Sequence, residues 1–252
     1  MSEQYNPYIK NVLRALQDSS YFQQFRSQPT FLQIYEGISK EESASYIQWL
    51  EKNQPDYLKD IDTFKVNDLI GKPRLHEFSQ TGAISCITIR YVAIAAYIEQ
   101  LFGRLDDTTV AEIGVGFGGQ FLVLDRVHAM RAYHLFDLQP VLQLTTRYLE
   151  HHLLRSSYRL STLNQCDGQQ TYDLVISNYA LSELPDSLIK MYIQKVLNKA
   201  TAGYITTNDH ERTISLLRQE APRDDYAVLS LPKKDYVRNL EKLIVWGHKK
   251  QP

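Results

Sequence analysis

The stretch that decides the fold is residues 110–119, Val-Ala-Glu-Ile-Gly-Val-Gly-Phe-Gly-Gly. A short apolar run enters this stretch, a glycine cluster ends it, and residues 121–130 continue with apolar side chains at helical spacing. This order predicts a strand, a tight glycine turn and a helix. Because glycine has no Cβ and a helix N-terminus offers unpaired N–H groups, the turn is typical of a nucleotide-binding site.

Strands and helices alternate after this turn. Further strands are predicted at 133–138, 157–163, 172–177 and 203–207. Two last strands, 226–231 and 240–248, have no helix of useful length between them, so they should pair antiparallel at the end of the sheet. The expected fold class is α/β, with a Rossmann-like seven-stranded sheet that is mostly parallel and has an antiparallel C-terminal strand.

The chain before the turn differs in character. Residues 1–66 are expected to form a helical N-terminal arm or cap, and 67–252 the domain that contains the turn. Residues 67–86 are punctuated by glycine and proline and are expected to be a loop, which at this length is often functional. Residues 87–102 should form an apolar helix, on which Arg90 is either a solvated side chain or a carboxylate clamp.

Composition excludes several classes of protein. The net charge of −1 among 252 residues does not favour nucleic acid as a partner. Cys86 and Cys166 lie far apart without a CxxC motif, which indicates a reducing, cytoplasmic compartment. No apolar run approaches the roughly 20 residues that span a bilayer, and the first seven residues show no secretory signal.

The glycine pattern alone leaves the cofactor open. Gly114, Gly116 and Gly119 satisfy G-x-G-x-x-G, and Asp137 follows at the distance where an acid binds ribose hydroxyls. An NAD-dependent oxidoreductase therefore remains possible on this test.

Three features favour S-adenosyl-L-methionine instead. Glu112, inside the strand, would repel a pyrophosphate but suits an ammonium or a sulfonium. Asp167 and Gly168 offer an acceptor for the amine of adenine. The antiparallel C-terminal pair is the strongest feature, because it concerns the whole topology.

Residues 112–120, Glu-Ile-Gly-Val-Gly-Phe-Gly-Gly-Gln, resemble the first motif of class I S-adenosylmethionine-dependent methyltransferases. Over roughly 67–250 the chain also resembles the sugar O-methyltransferase family. The matching blocks are 67–73, Thr88, Arg90 and Tyr91, 133–138, 177–184 and 244–247. The sequence departs from the family at Ile84-Ser85-Cys86, where a Ser-Pro-Thr-like run is expected.

The resemblance implies S-adenosyl-L-methionine as cofactor and methyl transfer to a hydroxyl of a sugar or similar small polar metabolite. The implied cofactor-binding residues are Thr88, Arg90, Tyr91, Glu112, Gly114, Gly116, Asp137, Leu138, Asp167, Gly168, Ser177 and Asn178. In this set Asp137 binds the ribose, Asp167 and Gly168 reach the adenine, and the residues at 88–91 close over the methionine carboxylate. The N-terminal helices, with Tyr35, Tyr46 and Trp49, are expected to shape the acceptor side or a homo-oligomer interface.

A general base should help the alcohol acceptor, typically by about 10²–10⁴ in rate. It must lie beyond the carboxyl ends of the strands, where His210 is the first candidate, followed by Glu183 and Asp209. His210 is alternatively a surface residue at a helix start, and Glu183 an acid that holds its loop. Asn178 is expected to orient a ligand. No metal is expected, since adjacent Asp209 and His210 have no distinctive ligand spacing.

Two other functions remain open. One is an NAD-dependent oxidoreductase, which predicts NADH binding that depends on Asp137 and not on Asp167. The other is a non-catalytic methyltransferase-fold protein that binds partners through its helical arm.

Overall fold

The computed structural model describes residues 7–221, 223, 225–233 and 241–249. Its strands are β1 (Leu75–Phe78), β2 (Gly82–Ser85), β3 (Thr109–Ile113), β4 (Ala132–Phe136), β5 (Ser157–Ser161), β6 (Tyr172–Asn178), β7 (Ala200–Thr207), β8 (Ala227–Leu229) and β9 (Lys242–Trp246). Strands β3 to β9 form a seven-stranded sheet in the order β5-β4-β3-β6-β7-β9-β8. Within it β9 runs antiparallel to β7 and β8, and the other neighbours pair parallel. The predicted sheet is therefore confirmed; residue 240, the predicted start of its last strand, lies outside the described residues.

Helices cover both faces of the sheet. They are α1 (Pro7–Gln17), α2 (Ser19–Phe22), α3 (Pro29–Ile34), α4 (Lys40–Asn53), α5 (Pro55–Lys59), α6 (Ile61–Phe64), α7 (Cys86–Phe102), α8 (Gly119–Val127), α9 (Gln139–Leu149), α10 (Ala180–Glu183), α11 (Asp186–Lys195) and α12 (His210–Glu220). The 17-residue α7 begins after Ser85, whose hydroxyl accepts from the backbone N–H of Thr88 at 3.3 Å. No helix in the described ranges is long and apolar enough to cross a membrane.

The sheet separates two hydrophobic clusters because successive side chains of a strand point to opposite faces. Val110 and Tyr204 belong to the cluster under α4, α7 and α8, whereas Ala111 and Ile205 belong to the one under α11 and α12. The arm helices α1 to α6 contribute to the first cluster only. The carboxyl ends of the parallel strands meet at one edge of the sheet, where the glycine turn also lies.

The segment 67–86, expected to be a loop, contains a β-hairpin. Strands β1 and β2 pair from Leu75↔Ser85 to Phe78↔Gly82, and Gly82 takes the positive φ of 65° close to the turn. Both strands are four residues long, and β1 is only partly buried, so the hydrophobic pattern was too short to predict them. The predicted strand 157–163 likewise ends at Ser161, because Thr162 starts a capping box with Gln165.

The arm meets the glycine turn through an aromatic cluster around Phe117. The Phe117 ring lies 5.9 Å from Phe25 and 5.4 Å from Tyr35 of the arm, measured between centroids. It also lies 5.0 Å from Tyr148 of α9. The arm thus packs directly on the turn; a domain boundary at residue 66 stays a prediction.

A buried ion network fastens the arm to the start of α7. Arg26 is fully buried, and its guanidinium pairs with Glu36 at 2.7 Å and Asp68 at 3.3 Å. Asp68 also accepts from the Ser85 hydroxyl at 2.6 Å and the Thr88 hydroxyl at 2.7 Å. Because each of these buried charges has a partner, the network is internally compensated.

Candidate functional site

The glycines of the turn leave room for neighbouring residues because they carry no side chains. Gly114 and Gly116 have φ of 78° and 56°, in the region that favours glycine. A Cβ on Gly114 would lie 2.1 Å from the Cβ of Ala180 in α10. The backbone N–H of Gly114 donates to the carbonyl of Phe136 at 2.8 Å, which ties the turn to the end of β4.

Asp137 lies against this turn, as the spacing predicted. Its carboxylate accepts from the backbone N–H of Gly116 at 3.2 Å and of Leu138 at 2.7 Å. Burial raises the pKa of Asp137 to about 6, the charge of Glu183 adds to the rise, and the backbone N–H groups oppose it. Leu138, at 41% exposure, presents an apolar surface beside the carboxylate. The Asp137 carboxylate is placed to accept from ribose hydroxyls, and the exposed Leu138 side chain offers a surface for the attached base.

Glu112 is buried on the α7 and α8 side of β3. The Tyr133 hydroxyl donates to its carboxylate at 2.8 Å. Burial raises the pKa of Glu112 to about 8, against the lowering effect of that hydrogen bond. At pH 7 and without a nearby cation Glu112 is therefore mostly protonated, and it repels a pyrophosphate less than an ionised acid would.

The three residues predicted on α7 point in different directions. The Thr88 side chain is fully buried, and its hydroxyl accepts from the Asn67 amide at 2.7 Å and donates to Asp68. The Arg90 guanidinium lies 4.6 Å from the centre of the Tyr179 ring. Tyr91 packs against the glycine turn, since a Cβ on Gly119 would lie 2.5 Å from its ring. The structure thus does not bring the three together, and their role in binding a cofactor stays a prediction.

The residues predicted to reach an adenine lie beyond β5. Asp167 is exposed, and its carboxylate accepts from the backbone N–H of Gln169 at 2.9 Å. Gly168 adopts a φ of 73°. Burial raises the pKa of the Tyr192 phenol in α11, and Asp137 and Cys166 add smaller effects in the same direction. Tyr192 carries no sequence signal as a site residue, because it sits in an ordinary amphipathic helix.

Ser177 and Asn178 end β6 at the same edge of the sheet. The Ser177 hydroxyl donates to the carbonyl of Ile113 at 3.3 Å. Asn178 accepts from the Thr206 hydroxyl at 3.4 Å, while its amide nitrogen is buried without a hydrogen-bond partner in the described residues. Tyr179 then takes a φ of 66°, which is uncommon for a residue other than glycine.

The three candidate bases occupy different places. Glu183 ends α10 and is exposed; desolvation raises the pKa of its carboxyl, and its charge in turn raises the pKa of Asp137. Asp209 caps α12, where its carboxylate accepts from the backbone N–H of Arg212 at 3.1 Å. His210, the first residue of α12, lines a surface groove with Ser215 and other residues of that helix and with none of the predicted cofactor residues. Among the described residues no group of three His, Cys, Asp or Glu side chains is arranged to hold a metal ion.

One arm tyrosine, Tyr35, reaches the turn, and a second, Tyr8, is hydrogen-bonded to Tyr35. A Cβ on Gly116 would lie 2.6 Å from the Tyr35 ring, and the hydroxyls of Tyr35 and Tyr8 are hydrogen-bonded. Burial raises the pKa of both phenols, and Asp137 adds to the rise. Tyr35 was expected on the acceptor side or at an interface, and Tyr8 was not expected at the site. Its only sequence signal is a helical apolar stripe, which is indistinguishable from ordinary packing.

Comparison with known proteins finds similarity of fold. No protein-family model matches the sequence, and no curated protein matches it. Precorrin 8w decarboxylase from Methanobacterium thermoautotrophicum is 18% identical, with 61% of this chain and 89% of that chain covered and a TM-score of 0.44. An rRNA methylase from Streptococcus thermophilus is 15% identical, with coverages of 62% and 94% and a TM-score of 0.45. The N-methyltransferase NodS from Bradyrhizobium japonicum, in complex with S-adenosyl-L-homocysteine, is 11% identical, with coverages of 59% and 80% and a TM-score of 0.43.

At these identities and TM-scores the likeness carries no information about the reaction. The function has to be inferred from the sheet and from the site residues themselves.

Proposed function

We propose that this chain is an S-adenosyl-L-methionine-dependent methyltransferase acting on a hydroxyl of a sugar or a similar small polar molecule. The observation that carries the proposal is the insertion of β9 between β7 and β8, antiparallel to both. A dinucleotide-binding domain made of two βαβαβ halves has the strand order 3-2-1-4-5-6 instead. An antiparallel C-terminal pair suits the methyltransferase motif that residues 112–120 resemble.

The cofactor would lie along the carboxyl ends of β4, β3 and β6. We assign Asp137 to the ribose hydroxyls, Leu138 to a face of the base, and Asp167 with Gly168 to its amine. Gly114 and Gly116 would let the backbone approach the ligand closely, and Glu112 and Tyr91 would lie on the methionine side. Ser177 would border the cofactor at the end of β6, and Asn178 would orient the cofactor or the acceptor.

We leave Thr88 and Arg90 out of this set, and their role in binding the cofactor stays a prediction. The hydroxyl of Thr88 is engaged in a buried network, and Arg90 stacks on Tyr179 beyond β6.

When bound, the cofactor supplies a methyl group on a sulfonium. The chain would align the acceptor with it, and such alignment alone supplies much of the rate in transfer reactions. For the base, the geometry favours Glu183 over His210, which reverses the order expected from sequence. The charge of Glu183 acts on Asp137, whereas His210 faces a groove that the predicted cofactor residues do not line.

The acceptor class follows from the charge of the chain and from the family resemblance. A net charge of −1 does not favour nucleic acid as the methyl acceptor, and the family resemblance implies a sugar. The two cysteines are free and buried, which supports a cytoplasmic location as part of the same proposal.

Calorimetric titration with S-adenosylmethionine, S-adenosylhomocysteine and NADH tests the proposal. We expect saturable binding of the two adenosyl ligands, lost in Asp137→Ala because their ribose hydroxyls lose their acceptor. Asp56→Ala, which removes an exposed carboxylate in the arm, is the matched control and should bind normally. At a hundredfold excess over Kd the ligand should add about 2.7 kcal/mol of apparent stability.

Other results would favour the rival functions. Binding of NADH alone, with loss in Asp137→Ala, would establish a dinucleotide site and refute the methyltransferase proposal. If none of the three ligands binds to a protein shown to be folded by circular dichroism, the non-catalytic alternative is favoured.

A further inference from the structure

A group of buried hydrogen-bond donors lies above β6 and β7 without partners. The Tyr204 hydroxyl and the Asn178 amide nitrogen are both buried and have no hydrogen-bond partner in the part of the chain described. Arg90 is only partly buried and is not one of these buried donors, but it also forms no hydrogen bond or ion pair within the described ranges, and its guanidinium lies over the ring of Tyr179. Unsatisfied buried donors cost free energy, so a native cluster of them requires an explanation.

These donors share one face of the sheet. Tyr204 pairs with Ile176, and Asn178 pairs with Thr206, so both donors point toward α4 and α7. Arg90, on α7, lies near enough to lower the pKa of the Tyr204 phenol against the larger, opposite effect of burial. We name Arg90, Asn178, Tyr204 and the Tyr179 ring the donor cluster.

The chemistry of the donor cluster selects its ligand. Its side chains offer N–H and O–H donors, and a guanidinium stays charged under all ordinary conditions. The planar fork of Arg90 matches a carboxylate in two parallel hydrogen bonds. Among the described residues of this region, Arg90 is the cation without an ion pair, whereas neighbouring Lys233 is paired with Glu42 and Glu241, so a single negative charge matches it. A carboxylate therefore fits better than a phosphate dianion.

The position of the donor cluster separates it from the proposed ribose site. Asp137 follows β4, and Tyr204 lies on β7, with β3 and β6 between those strands. Three strand spacings amount to about 14 Å. The charged groups that shift the pKa of Tyr179 are Arg90, Glu241 and Lys233, which lie toward β9. The pKa of Asp137 is shifted by a different charge, that of Glu183.

We propose that the donor cluster binds a carboxylate of the methyl acceptor, so that the acceptor is an acidic sugar or a similar hydroxy acid. The inference rests on the proposed function and names the substrate class of that same site. The Tyr179 ring stacks on the guanidinium and holds it at the end of β6. Its strained backbone is explained if that placement is required for binding.

The test uses protein saturated with S-adenosylhomocysteine, titrated calorimetrically with two acidic and two neutral probes. D-glucuronate and D-galacturonate should bind, and D-glucose and D-galactose should bind at least tenfold more weakly. Arg90→Gln should remove the difference between the two pairs. Tyr204→Phe should weaken uronate binding about tenfold without lowering stability, because the lost hydroxyl has no hydrogen-bond partner among the described residues. Tyr158→Phe, on the far strand β5, is the control for a generic loss of a phenol.

Three outcomes would overturn the inference. One is equal binding of the acidic and neutral sugars. Another is no binding of any sugar to protein that still binds S-adenosylhomocysteine. The third is weaker S-adenosylhomocysteine binding in Arg90→Gln with unchanged binding of 5′-methylthioadenosine, which would assign the donor cluster to the cofactor's own carboxylate. Failure of the wild-type protein to bind S-adenosylhomocysteine would instead refute the proposed function, so the two failures are distinguishable.

Discussion

Glu112 couples the protonation state of the protein to its proposed ligand. Burial raises its pKa to about 8, so the free protein holds a proton there at pH 7. A cationic ligand beside it would favour the carboxylate and expel that proton. Affinity for S-adenosylhomocysteine, whose ammonium is cationic, should therefore rise with pH, by at most tenfold per unit for one proton, and level off above about 8. Ionisation of Asp137, whose pKa is about 6, acts in the same direction at lower pH.

Calorimetry in two buffers of different ionisation enthalpy, both at pH 7, measures this proton. We expect a buffer-dependent binding enthalpy that corresponds to release of up to one proton in the wild type. Glu112→Gln should abolish that dependence while it keeps an acceptor for the Tyr133 hydroxyl. A wild-type enthalpy that is the same in both buffers would show that no cation reaches Glu112.

Gly116 tests the contact between the arm and the glycine turn. Its positive φ and the Tyr35 ring, 2.6 Å from the position of a Cβ, both oppose a larger residue. Gly82 has a similar φ of 65°, but the nearest atom to its Cβ position is the Lys65 amine at 3.7 Å. Gly82→Ala should therefore cost only the backbone strain of about 1–2 kcal/mol, whereas Gly116→Ala adds about 1–3 kcal/mol of overpacking.

Urea unfolding in the Tyr35→Ala background isolates the second effect. Gly116→Ala should cost less there than in the wild type, because the ring no longer occupies the space of the new methyl group. The cost of Gly82→Ala should be the same in both backgrounds. If Gly116→Ala costs equally with and without Tyr35, the contact is not what excludes a side chain.

The positions of candidate site residues were predictable where local spacing defines them. The glycine turn and Asp137 follow from a strand, a turn and an interval of about 20 residues, and the structure joins them by a hydrogen bond. Tyr8 was not predictable as a site residue, because it is linked to the turn only through its hydrogen bond with Tyr35. Thr88 is the opposite case. It lies at a motif position, but its hydroxyl donates to Asp68 within the buried network.

At the scale of elements, the ion pairs of Arg26 hold the arm against the start of α7. Arg26→Met would leave the Glu36 and Asp68 carboxylates, at 3% and 7% side-chain exposure, without their cation. Removal of one partner from a buried ion network typically costs about 3–5 kcal/mol. Lys59→Met, which breaks an exposed pair with Asp56, should cost under about 1 kcal/mol.

Urea unfolding monitored by circular dichroism compares the two variants. Equal losses of stability in Arg26→Met and Lys59→Met would contradict a structural role for the buried network. The double variant Arg26→Met/Glu36→Gln removes one of the two carboxylates that Arg26→Met leaves unpaired. It should therefore recover part of the lost free energy of unfolding.

The elements that the sequence predicted are those with long, regular patterns. β6 is apolar over most of its length and α7 over most of 17 residues, so both were located to within one residue at each end. The β1–β2 hairpin was missed because four-residue strands bury too few side chains to show a period. Arg26 was also missed, because its partner Asp68 lies 42 residues away and nothing local indicates a buried charge.

At the scale of the whole molecule, the arm and the sheet share one hydrophobic cluster. Phe31 and Leu50 of the arm belong to the same buried set as Val110 and Ile176 of the sheet. Neither part buries its apolar surface without the other, and close-packed interiors unfold cooperatively. The full chain should therefore unfold in a single transition, in which the arm does not melt before the sheet.

The two tryptophans report on the two parts separately. Trp49 lies in α4 and packs on Tyr97, and Trp246 is buried in β9. Trp49→Phe leaves a reporter in the sheet, and Trp246→Phe leaves one in the arm. In each variant the fluorescence midpoint in urea should coincide with the midpoint by circular dichroism, a comparison that does not depend on how much either substitution destabilises the protein. A Trp49 transition at lower urea than the dichroism transition would show that residues 1–66 detach first, and that the site is completed by a separately folding cap.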